Sequence, residues 1–179
     1  MPSQGADIVK INTLDPNGLD RRSFEHAART AIGATASLLI ARLFKLPESY
    51  WAAVTTIVVL QSTLGAAVSV STLRFIGTAL GAFTGGLLAL YFDQNVWVSA
   101  GAIFLLGLLT AALHLDRAAF RFAGITVVIV LLVGHTESPW IVALHRFFEV
   151  SIGIVMGLVI AAVWPDREPA TAPAPISAK

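Results

Sequence analysis

Residues 140–165, WIVALHRFFEVSIGIVMGLVIAAVWP, form an unbroken apolar stretch that still carries His145, Arg146 and Glu149. It is long enough to cross a bilayer, which needs roughly 20 mainly apolar residues. Ionisable groups at that depth are costly, so they face a bundle interior or a wet cavity rather than lipid. Within this stretch, Arg146-Phe147 is followed by Gly153-x-x-x-Gly157. The same pattern occurs earlier, as Arg74-Phe75 followed by Gly81-x-x-x-Gly85.

Composition places both stretches in a membrane. The 179 residues are 56% hydrophobic and 13% charged, with a mean hydropathy of +0.77. A soluble domain carries about 25% charged residues. The net charge of +1 supplies no basic field for nucleic acid. The absence of cysteine excludes disulfides and thiolate metal sites. Without an early apolar stretch and small-residue cleavage site, the first span is expected to act as an uncleaved signal.

Hydrophobic runs and turn residues divide the chain into a polar cytoplasmic segment (1–26), a six-helix transmembrane domain (27–165) and a disordered cytoplasmic tail (166–179). The spans are expected near 27–44, 49–64, 72–92, 96–115, 120–134 and 140–165. The β-branched run at 54–59 would suggest a strand in water, but open sheets do not span lipid. Tyr50-Trp51 suits an interfacial belt, and Ser138-Pro139 suits a helix start. An even number of spans puts both termini on one side. Lys10, Arg21, Arg22, Arg29, Arg74, Arg117, Arg121, Arg167 and Lys179 fall there, against Arg42 and Lys45 opposite. Both termini are therefore expected in the cytoplasm, with the protein multi-pass in the inner (plasma) membrane.

Spans 1–3 and 4–6 match at a shift of about 70 residues, which predicts two inverted three-helix repeats with a site near their interface. Ala53-Val54-Thr55 lines up with Gly124-Ile125-Thr126, and Arg74-Phe75…Gly81…Gly85 with Arg146-Phe147…Gly153…Gly157. Inversion places Arg74 near the cytoplasmic start of span 3. It places Arg146 roughly 9 Å into span 6 from the outside, so one arginine lies towards each face. Glu149 breaks the symmetry, because Gly77 holds its position in the first half.

Each polar residue in these spans has two readings. Gly77, Gly81 and Gly85 share one stripe, as do Gly153 and Gly157. Small residues four apart allow close helix packing, so spans 3 and 6 are expected to cross there, within a chain or between subunits. Arg146 and Glu149 lie three apart and can pair. They form either a structural ion pair or an anion site beside a proton-exchanging carboxylate. Arg29 and Arg74 either snorkel to headgroups or line a path. Gln61 either bonds a neighbouring helix or lines the path. Thr55 and Thr126 can supply hydrogen bonds along it. His114, His135 and Glu137 read as loop residues near span ends. No catalytic motif, metal cluster or cofactor signature is present, so no enzyme is expected.

Arg29, Leu46-Pro47, Tyr50-Trp51-Ala52, Gln61…Gly65, Arg74-x-x-Gly77-Thr78-x-x-Gly81, Arg146-x-x-Glu149-x-x-x-Gly153 and Trp164-Pro165 together resemble the fusaric acid resistance and aromatic acid exporter family. Plant aluminium-activated malate channels are its distant relatives. The resemblance implies a six-span module that moves small organic anions, typically aromatic carboxylates, out of the cytoplasm. The leading expectation is an organic-anion exporter or channel that works as a homo-oligomer. The alternative is a structural or regulatory membrane subunit in which the arginines anchor and the glycines pack.

Overall fold

The computed structural model describes residues 21–60, 63–92, 95–132 and 138–165. Among them every regular element is helical: α1 (Arg21–Leu43), α2 (Tyr50–Val59), α3 (Leu64–Leu88), α4 (Val96–Ala112), α5 (Arg117–Leu132) and α6 (Pro139–Val163). The expected all-α class is observed. Gln61, His135, Glu137 and the segments 1–20 and 166–179 lie outside the described residues.

The helix ends follow from local chemistry. α1 closes at Lys45, whose φ is 55°, with the Leu46 N–H donating to the Ala41 carbonyl at 3.1 Å. α4 closes the same way. His114 has φ 53°, and the Leu115 N–H donates to the Thr110 carbonyl at 2.9 Å. A left-handed residue with this longer bond satisfies carbonyls that a helix end would orphan. The Asn95 side chain caps α4 by accepting from the Trp97 N–H at 2.9 Å. Pro139 opens α6, where a missing N–H costs nothing.

Several expected boundaries move; α1 starts at Arg21 rather than near residue 27, and the largest shifts are at α2 and α3. The second helix stops at Val59 rather than near residue 64, leaving α2 with 10 residues. At 1.5 Å per residue it is about 15 Å long, half of a hydrocarbon core about 30 Å thick. α3 starts at Leu64 rather than near residue 72, because Thr63 Oγ1 accepts from the Ala66 N–H at 3.2 Å. The stretch 65–71, expected to lie between two spans, belongs to α3. Thr72 Oγ1 donates to the Val68 carbonyl at 3.0 Å, which satisfies the hydroxyl inside the helix. α3 and α6 are long and apolar enough to cross a membrane.

α3 and α6 are the central pair. Phe75 lies 5.1 Å from Phe147 and Phe83 lies 6.0 Å from Trp140, ring centroid to ring centroid. One number rises as the other falls, so the two helices run antiparallel. The glycine stripes do not meet across this crossing, contrary to expectation. The stripe of α3 faces α5 and that of α6 faces α2. A Cβ built on Gly81 would lie 2.4 Å from the Ala123 carbonyl oxygen and 2.8 Å from Thr126 Cβ. One built on Gly153 would lie 2.4 Å from the Ala52 carbonyl oxygen and 2.5 Å from Thr55 Cβ. Gly85 sits on Val130 and Gly157 on Val59 in the same manner, and Gly77 sits on Ala119. The bulky Phe75 and Phe147 therefore take the central crossing, and the glycines allow two parallel contacts beside it.

The outer surface is apolar. On α4, Val96, Trp97, Phe104, Leu105 and Leu108 are all exposed. A continuous face of this kind is rare on a soluble monomer and matches contact with lipid.

Candidate functional site

The long helices α3 and α6 bring Arg74 and Arg146 to one small cavity. Its wall also includes Trp51, Thr78, Phe122 and Thr126, and its volume is ≈ 10 Å³. That is room for about one water. The expectation of one arginine towards each face is therefore corrected. Because α3 begins about two turns earlier than expected, Arg74 lies well inside the helix and meets Arg146 rather than sitting at a membrane surface.

Each guanidinium lies on an aromatic ring from the opposite half of the chain. Arg74 is 4.8 Å from the Phe122 centroid, and Arg146 is 4.6 Å from the Trp51 centroid. Such stacking stabilises a cation more strongly when it is shielded from water. Arg74 Nε also donates to Thr55 Oγ1 at 3.2 Å.

The two arginines differ in their acidic partners. Arg146 has two. Its Nη2 donates to Glu48 Oε2, and its Nη1 is 3.4 Å from Glu149 Oε2. The other Glu149 oxygen accepts from the Glu48 N–H at 2.9 Å. Arg146 and Glu149 are buried, at 3% and 1% exposure. Among the described residues, no carboxylate pairs with Arg74, which is 6% exposed. A buried guanidinium without a counter-charge favours an anion beside it. Its planar fork suits the two oxygens of a carboxylate.

The other expected site residues lie as follows. Thr55 holds Arg74, and Thr126 lines the cavity with its hydroxyl donating to the Phe122 carbonyl at 2.9 Å. Arg29 does not line the cavity. Its Nη1 donates to the Trp164 carbonyl at 2.8 Å, tying α1 to the C-terminal end of α6. The glycines form close contacts behind the cavity wall rather than the wall itself.

Glu48, Trp51 and Phe122 were not singled out as site residues from sequence. Glu48 reads as a loop acid and Trp51 as a belt residue. The expected alignment of Ala53 with Gly124 would set Glu48 against Ala119, and that of Arg74 with Arg146 would set Gly77 against Glu149. Gly77 packs on Ala119, and the Glu48 N–H meets Glu149.

The fusaric acid resistance protein-like family matches residues 34–160 of the chain. The chain belongs to that family. Inner membrane protein YeeA of Escherichia coli (strain K12) is 32% identical over 150 residues, covering 79% of this chain and 41% of its own length. The uncharacterized transporter YdhK of the same organism is 33% identical over 160 residues, covering 83% of this chain and 24% of its own length. YdhK of Salmonella typhimurium is 27% identical over 158 residues, covering 83% of this chain and 23% of its own length. The chain thus spans less than half the length of these relatives. No solved structure matches it. Membership of the fusaric acid resistance protein-like family places the chain among membrane proteins.

Proposed function

We propose that this fusaric acid resistance-like chain is a six-span inner-membrane module that carries small organic anions, aromatic carboxylates in particular, out of the cytoplasm. The observation that carries this reading is Arg74: a buried guanidinium, facing a cavity, with no carboxylate partner among the described residues. Arg146 adds a second positive group, and Trp51 and Phe122 add aromatic faces against which a planar acid can stack. The names of YeeA and YdhK, an inner membrane protein and a transporter, support the location and the activity.

Two inverted three-helix repeats are part of the same reading. Its support is the exchange of equivalent contacts between the halves. Arg74 on Phe122 answers Arg146 on Trp51, and Gly81 on Ala123 answers Gly153 on Ala52. The lysine and arginine bias supports cytoplasmic termini. A homo-oligomer belongs to the proposal as well.

The small cavity favours a second reading, a structural membrane subunit in which Arg146, Glu48 and Glu149 form a sealed ion cluster. Flux of labelled aromatic and aliphatic acids into proteoliposomes separates the two. Saturable flux that Arg74→Gln abolishes in a folded protein supports transport, and its absence across the panel supports the structural subunit.

A further inference from the structure

Glu48 occupies a place that a transported anion would take. Arg146 meets two carboxylates: Nη2 donates to Glu48, and Nη1 lies 3.4 Å from Glu149 Oε2 without donating a hydrogen bond. The two acids are not equally fixed. Glu149 is 1% exposed, rises from α6 itself, and has its second oxygen held by the Glu48 N–H at 2.9 Å. The Glu48 side chain is 25% exposed and stands on the short link between α1 and α2. If one carboxylate gives way, it is that of Glu48.

Charge balance points the same way. Arg146 already faces two carboxylates, Glu48 and Glu149, whereas Arg74 pairs with none among the described residues. An entering carboxylate that pairs with Arg74 and also reaches Arg146 would bring a third acid to that guanidinium in a region shielded from water, which is unfavourable. Release of Glu48 towards solvent relieves that repulsion and frees Arg146 Nη2 for the ligand. The cavity of ≈ 10 Å³ has room for about one water and not for an organic acid, so something must move before one binds.

We propose that the Glu48 carboxylate is a tethered competitor for the anion. It occupies Arg146 in the empty protein and is displaced when an organic carboxylate binds, so that it sets both affinity and the opening of the site. This inference rests on the anion-transport reading. It adds a specificity-determining residue and a direction of movement for the α1–α2 link.

The test uses the full chain, with benzoate as the probe. Glu48→Gln keeps the shape of the side chain and removes its charge. If the latch is closed about nine-tenths of the time, the variant should bind benzoate about tenfold more tightly, because apparent affinity scales with the open fraction. Glu48→Asp withdraws the carboxylate by one methylene and should fall between the two. Benzoate binding is read by calorimetry in detergent and by the half-saturating concentration for flux in proteoliposomes. Wild-type affinity in a folded Glu48→Gln protein overturns the competitor role and leaves the transport reading standing. If Glu48→Gln does not fold, wild-type affinity in a folded Glu48→Asp protein overturns it instead. Absence of saturable binding and flux in the wild type and both variants, for benzoate and for aliphatic acids, overturns the transport reading and this inference together.

Discussion

Phe75 and Phe147 meet at a tilt of 58° with ring centroids 5.1 Å apart, and each directly follows the arginine that its helix sends to the cavity. The contact marks a place where α3 passes α6. Because the arginine precedes the phenylalanine on both helices, the same crossing brings both guanidinium groups to one place. On each helix the charge thus lies one residue from this apolar contact.

The glycine contacts give the first prediction. Gly81→Leu and Gly153→Leu should each lower the thermal midpoint in detergent, because even a Cβ would lie 2.4 Å from a backbone oxygen. Overpacking costs typically 1–3 kcal/mol, and backbone on the far side makes a value at or above about 3 kcal/mol the expectation here. Gly101→Leu is the control, since a Cβ there meets nothing within 4 Å. Equal melting of all three variants would rule out these contacts as the determinants of packing.

A second prediction concerns the ion cluster. Arg146→Met leaves Glu48 and Glu149 facing each other without a cation. Breaking a buried pair in this way costs about 3–5 kcal/mol. Adding Glu149→Leu should recover part of that loss, and adding Glu48→Gln as well should recover most of it. Chemical or thermal melts of the single, double and triple variants measure the coupling. Simple additivity would mean that the three side chains do not act as one cluster.

Arg74 supplies a third. Arg74→Lys keeps the charge but loses the planar fork and the Nε bond to Thr55. The variant should fold, yet carry benzoate about tenfold less well, which corresponds to about 1.4 kcal/mol of lost binding. Thr55→Val leaves Arg74 Nε without its acceptor and should weaken transport in the same direction by a smaller factor. Undiminished flux in a folded Arg74→Lys protein would remove the bidentate grip from the proposal.

Topology is checked separately. Reporter fusions at Lys179 and between α3 and α4, at residues 93–95, should report opposite sides of the membrane, with Lys179 in the cytoplasm. A shared side for both would remove the six-span arrangement, and with it the inverted repeat.

Apolar content, lysine and arginine placement, and turn residues made the membrane class and the division into six helices legible in the sequence, because these depend on local composition. The recurring spacing of Arg74 and Arg146, each followed by a glycine pair, was visible in the sequence as well. Several features depended on contacts between distant residues. The ends of α2 and α3 turned on the Thr63 cap and on Thr72 bonding back to Val68, and hydroxyls that help close a helix look the same in sequence as those of a loop. The glycine stripes faced α5 and α2 rather than each other, because periodicity names a face and not its partner. The meeting of Glu48 with Arg146, 98 positions apart, came only from the packing of the α1–α2 link on α6. Sequence spacing governs what one helix can present. Tertiary packing decided which charges share a cavity, because burial and Coulomb attraction act across space and not along the chain.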